Sequence, residues 1–113
     1  MRAGLLRYRL RIERPVVVDD AMRSPKKTWE PLGEWVYADI RAMSAREYFS
    51  ATKRDVGAPT FQIIVRRVPG VKLDPSMRGI DLDNNVTFDF VAELPSARRD
   101  YWTFAAVSGK GAA

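Results

Sequence analysis

Three sets of side chains in this 113-residue chain have types and spacings that could do chemistry. Asp81, Asp83 and Asn85 alternate as the first ligands of a calcium loop do. That loop also needs a glycine after its third ligand and a later bidentate Glu, and Val86 follows here instead, so a hairpin turn explains these residues more simply. Ser44 offers a hydroxyl, but neither a histidine nor a nearby lysine accompanies it as a base. It stands three residues before Glu47, the spacing of a capping box, which satisfies orphan N–H groups at a helix start. Arg7, Arg9 and Arg11 alternate with Tyr8, Leu10 and Ile12, which sets three guanidinium groups on one face of a strand. Such a face can contact phosphates or carboxylates without reading bases.

The rest of the composition narrows the chemistry further. The chain contains no histidine and no cysteine. Disulfides, cysteine-ligated zinc, the commonest general base and a serine-hydrolase relay are thereby excluded. No paired carboxylates mark a pocket, so an enzyme is not expected, and nothing calls for a cofactor, a metal or a small-molecule substrate. No apolar run approaches the roughly 18 residues of a membrane span, and the N-terminus lacks an apolar signal-peptide core. Synthesis and folding in a cytoplasm are expected.

The net charge is +5 and the pI about 9.9, with an uneven excess. The first 14 residues hold five arginines against Glu13 alone, a net of +4. This bias suits a polyanion or an acidic partner subunit, and it equally suits a solvated strand face that keeps the protein soluble.

These groups need elements to position them, and the hydrophobic pattern supplies mostly strands. Leu6, Tyr8, Leu10 and Ile12 form a half-buried strand with a basic outer face, which Pro15 breaks, Val16 to Val18 continuing it at an edge. Asp19 to Lys27 reads as a polar loop. A second strand opens at Thr28 to Glu30 and runs through Trp35 to Ala42, with Val36, Ala38 and Ile40 on one face and Trp35 and Tyr37 on the other. A helix follows over Ala45 to about Asp55. Its less polar stripe is Ala45, Tyr48, Phe49, Thr52 and Val56, while Arg46, Lys53 and Arg54 face water. Further strands are read at Thr60 to Val68, Met77 to Leu82, Val86 to Leu94 and Arg99 to Val107, with Ser108 to Ala113 as a frayed tail. Some six strands at short spacing with one inserted helix predict a mainly β fold, a small antiparallel β-barrel or sandwich, as a single domain over residues 1–107.

In this order the chain resembles the bacteriophage head–tail joining family, the head-completion or stopper proteins also found in prophages and gene transfer agents. Four segments carry the resemblance. The first is MRAGLLRYRLRIERP. The second is Thr28-Trp29-Glu30 followed by the Trp-led strand Trp35 to Ile40. The third is Met43 to Phe49, which matches the family's Ser-Gly-x-Glu helix start with Ala45 in place of glycine. The fourth is Phe61 to Arg66 followed by Asp74 to Arg78. The family's late hairpin usually has a glycine in its turn; here Asp83-Asn84-Asn85 supplies the turn, and Phe88 and Phe90 the aromatics.

The resemblance implies a non-enzymatic ring subunit of the virion at the head–tail junction, made in a bacterial host. It implies a small barrel with an attached helix, self-associated into a hexameric or dodecameric ring. Portal or adaptor ring proteins would be the neighbours on one side, tail-completion or tail-tube proteins on the other. The ring would close the DNA channel after packaging, with non-specific contact to channel DNA as an option and no membrane involved. The candidate assembly interface is Arg7, Arg9, Arg11, Trp35, Tyr37, Glu47, Tyr48, Phe49, Lys53 and Arg54. Within it, Tyr48 and Phe49 are expected to divide their work, one packing at home and one across an interface. A basic oligonucleotide-binding β-barrel is the alternative, with Tyr8 or Tyr37 stacking bases among the arginines.

Overall fold

The computed structural model describes residues 7–18, 26–53, 58–68, 70–96 and 99–108. They form seven strands and one helix: β1 (Tyr8–Val18), β2 (Lys26–Pro31), β3 (Val36–Met43), α1 (Ala45–Thr52), β4 (Thr60–Arg66), β5 (Arg78–Asp81), β6 (Val86–Leu94) and β7 (Tyr101–Ser108). All pairings are antiparallel. Six strands run β1-β3-β4-β7-β6-β5, and β5 pairs back onto β1 to close a barrel. Closure leaves no open edge within this ring.

Side-chain alternation explains the core. Leu10 and Ile12 of β1, Ala38 of β3, Ile63 and Val65 of β4, Phe88 and Phe90 of β6, and Trp102, Phe104 and Ala106 of β7 all point inward and are buried. Phe90 stacks on Phe104 at 4.6 Å, and Phe61 meets Phe88 edge-on at 5.1 Å. Aromatic pairs of this kind add about 0.5–1.5 kcal/mol beyond area burial. Leu73 and Met77, from the connection between β4 and β5, enter the same core. The seam between β1 and β5 is tight. A β-carbon on Gly79 would stand 2.7 Å from Leu10 Cδ2, and Leu10 is fully buried.

Several expectations are corrected. The single second strand is two, β2 and β3, separated by residues 32–35, where Gly33 takes a φ of 73°. Pro15 does not break β1. It sits opposite Trp29 and the ladder continues to Val18. The N–H of Leu32 donates to Ile12 O, so alternation turns Pro15 towards the edge away from β2, where its missing N–H costs no ladder bond. Lys26 and Lys27 belong to β2 rather than to the loop, of which residues 19–25 lie outside the described set. The helix ends at Thr52, earlier than Asp55, because Lys53 adopts a left-handed φ of 61° and its N–H caps Phe49 O. The alternation of β6 breaks at a bulge between Phe90 and Ala92, so Ala92 and Leu94 face Ala105 and Thr103 instead of continuing the Val86–Phe88–Phe90 face.

The barrel therefore has two unlike ends. At one end α1 links β3 to β4 and contacts β4, β6 and β7, beside the β5–β6 turn. The opposite end carries the residue 32–35 link, the long β4–β5 connection and the β6–β7 link. From it β1 and β2 project as a two-stranded ribbon. Residues Arg14 to Val18 pair with β2, whereas the β5 pairing stops at Glu13.

Candidate assembly interface

Three of the arginines of β1 are paired with carboxylates, one on the same strand and two on other segments. Arg9 Nη2 lies 2.5 Å from Asp83 Oδ1. This hydrogen bond raises the affinity of Arg9 for its proton and holds the Asp83 carboxyl below the ordinary carboxylate range. Arg11 Nε lies 3.2 Å from Glu13 Oε2, and Arg14 Nη2 lies 2.8 Å from Glu30 Oε1. Glu13 is buried although it lies on the outer face of β1, and its other oxygen accepts from Arg78 Nε at 2.8 Å. The Arg78 guanidinium in turn covers Trp29 at 4.2 Å, with Lys27 on the same ring at 5.0 Å. Among the described residues Arg7 is exposed and has no carboxylate partner. Of the three arginines expected on one basic face, Arg9 and Arg11 are thus ion-paired.

Trp35 and Tyr37 stand where alternation places them, on the outer face of β3 and edge to face at 4.8 Å. They are 37% and 52% exposed, and the Arg9 guanidinium lies 5.6 Å from the Trp35 ring. Arg9, Trp35, Tyr37 and Asp83 thereby form one surface patch.

The helix sorts its aromatics. Ser44 Oγ accepts from the Glu47 N–H at 3.1 Å, and the Glu47 carboxylate accepts from the Ser44 N–H at 2.9 Å, which completes the capping box. The backbone bond from Ser44 lowers the Glu47 pKa. Tyr48 is 2% exposed and packs at home, while Phe49 is 46% exposed and faces outward with Glu47 and Lys53. Arg54 lies outside the described residues. The turn at Asp81 to Asn85 is closed by the Asp81 carboxylate, which accepts from the N–H groups of Asp83 and Asn84 and from Asn84 Nδ2, while Asn85 takes a φ of 57°.

The ribbon end holds a second surface that spacing did not reveal. An apolar cavity of about 280 Å³ opens there, lined by Leu32, Val36, Val65, Val71, Leu73 and Trp102 among others. Val68 and Val71 at its rim are 44% and 41% exposed. Arg66 and Arg67 leave the end of β4 beside it. Arg66 lies 5.8 Å from the Tyr101 ring, and Arg67 covers Trp102 at 3.9 Å while donating to Tyr101 O. Among the described residues neither arginine, nor the nearby exposed Arg99, has a carboxylate partner. The Arg66-Arg67 dipeptide is visible in the sequence. Its place beside Tyr101 depends on the β4–β7 register, which pairs Arg66 with Tyr101.

Among the described residues no group of three or more acidic, histidine or cysteine side chains is placed to hold a metal ion. The same residues contain no helix long and apolar enough to cross a membrane. The sequence itself matches the model of the phage head completion protein family over residues 1–109. The chain belongs to that family. As a head completion protein it is a structural component of the phage head, located in the virion. Solved structures agree on the fold. The solution structure of protein SF1141 from Shigella flexneri 2a superposes with a TM-score of 0.71 at 22% identity, covering 98% of this chain and 99% of that one. A chain in the virion of a native gene transfer agent particle superposes with a TM-score of 0.61 at 22% identity, covering 89% and 93%. No curated protein matches the sequence.

Proposed function

We propose that this head completion protein is the repeating subunit of a ring that joins the portal or adaptor assembly to the tail and closes the DNA channel after packaging. The observation that carries the reading is a closed barrel with its own apolar core and yet with Trp35, Tyr37 and Phe49 left exposed. Large aromatics exposed on a small closed barrel mark protein interfaces. On this reading the Arg9–Trp35–Tyr37 patch and the outer face of α1, with Glu47, Phe49 and Lys53, meet neighbouring subunits or rings. Tyr48 serves the interface only by fixing the helix.

The oligonucleotide-binding alternative finds less support. It requires exposed stacking platforms among free cations. Phe88 and Phe90 are buried in the core with Phe61 packed against them, and Arg9 and Arg11 are engaged by Asp83 and Glu13. The test is DNA retention. Packaged heads that lack this protein should lose their DNA to added nuclease, and purified protein should restore protection. Protection that does not depend on the protein would refute channel closure.

A further inference from the structure

The two-stranded ribbon has little of the barrel to lean on. Val17 lies four residues beyond Glu13, where the pairing of β1 with β5 ends, so it reaches about 13 Å past the barrel rim. It is 65% exposed, and β2 pairs with β1 alone. A two-stranded ribbon is marginally stable unless a face of it packs on something else. Here an open cleft of about 480 Å³ runs along the root of the ribbon, with Pro15, Lys27 and Trp29 on the ribbon side and Ser76, Met77 and Asp89 on the barrel side.

One side chain spans that gap. Among the described residues the polar and ring contacts of β2 stay inside the ribbon with a single exception. Thr28 Oγ1 donates to Val16 O, Glu30 pairs with Arg14, and Lys27 lies on the Trp29 ring. The exception is Arg78, whose guanidinium lies 4.2 Å from the same ring. Arg78 opens β5 opposite Glu13, at the last pair of the closing seam. The Leu82 N–H donates to Arg9 O and the Leu32 N–H to Ile12 O, so β5 and the β2 line occupy opposite edges of β1. The Arg78 side chain therefore crosses the outer face of β1 to touch Trp29. On the way its Nε donates to Glu13 Oε1 at 2.8 Å, while Arg11 Nε donates to the other carboxylate oxygen. Arg78 and Glu13 keep only 11% and 8% of their side-chain surface. A planar guanidinium can donate in its plane to a carboxylate and lie against an aromatic ring at the same time, which an ammonium group cannot.

We propose that Arg78 is a clamp that sets the direction of the ribbon. By holding the Glu13 carboxylate and the Trp29 ring together it ties β1 and β2 to β5, so the arm projects in one direction in the free subunit. An arm fixed in advance gives up little conformational freedom when a neighbour engages it. The inference concerns a single subunit and does not depend on the ring reading above.

The cysteine-free chain allows the arm to be measured by paired spin labels and electron–electron distance spectroscopy. Val17→Cys/Ser50→Cys and Val17→Cys/Arg41→Cys report the ribbon against the barrel, and Glu93→Cys/Ser50→Cys reports the barrel alone; all four positions are exposed. The labelled protein is diluted into unlabelled protein so that only distances within one chain are read. Arg78→Lys keeps the charge beside Glu13 and loses the planar contact with Trp29, whereas Trp29→Val removes the ring and leaves the ion pair. The parent should give one narrow distribution for each pair. In both variants the two Val17 distributions should widen about twofold while the barrel pair stays narrow and melting stays cooperative. Arg14→Gln, which breaks an ion pair inside the ribbon, should leave all three pairs narrow. Val17 distributions that stay narrow in both clamp variants, or that are already broad in the parent, would overturn the proposal. So would a widening that appears equally in the barrel pair or in Arg14→Gln.

Discussion

At the scale of single residues, two arginines pair with carboxylates across long stretches of sequence. Arg78 reaches Glu13 over 65 positions, and Arg9 reaches Asp83 over 74. The two pairs differ in weight because they differ in burial. Glu13 and Arg78 keep only 8% and 11% of their side-chain surface, so each depends on the other to offset desolvation. Removing one partner from such a pair costs about 3–5 kcal/mol, and Glu13→Ala should lower unfolding stability by an amount of that order in urea titrations. Arg9 and Asp83 remain open to solvent at 43% and 47%, so Arg9→Ala should change stability little. The Asp83 carboxyl is held below its ordinary pKa by Arg9. Its contribution is accordingly complete above the unfolded carboxylate's pKa and is lost as pH falls through the folded value, a strictly acid-side effect that salt weakens. None of these partners could be read from the sequence, because strand alternation fixes a face and leaves open which distant carboxylate the barrel brings to it.

At the scale of elements, the helix and the closing seam carry distinct tasks. Tyr48→Ala should cost about 3 kcal/mol or more by opening a cavity under α1. Phe49→Ala should stay within about 0.5 kcal/mol of the parent in thermal unfolding yet impair ring assembly, which separates an interface residue from a core residue. Gly79→Ala should cost about 1–3 kcal/mol, since the added methyl meets the buried Leu10 side chain where β5 closes on β1. The capping box at Ser44 and Glu47, the inward faces of β3 and β4 and the exposure of Trp35 and Tyr37 were all legible in the sequence. Each depends on spacings of two or three residues. The bulge in β6 and the passage of β1 through Pro15 were not, because both are decided by what the neighbouring strand offers. The left-handed stop at Lys53 escaped as well, since lysine has no special preference for that conformation.

At the scale of the whole molecule, the barrel is asymmetric from end to end, and that asymmetry suits a part placed between two different neighbours. The helix end is neat and capped. The ribbon end combines an open apolar mouth, arginines laid against Tyr101 and Trp102, and a projecting two-stranded arm. The fold class and the family were legible from the order of four short segments, while the mouth was not, because it joins residues from β1, β3, β4 and β7 and from the β4–β5 connection. The measurement that bears most directly on the account is electron cryomicroscopy of intact particles carrying this protein, with the head–tail junction reconstructed. The account predicts a ring of these barrels between portal and tail, with the Trp35–Tyr37 face or the outer face of α1 in contact with a neighbour. Particles whose junction lacks the barrel, or in which both of those faces stand free in solvent, would contradict it.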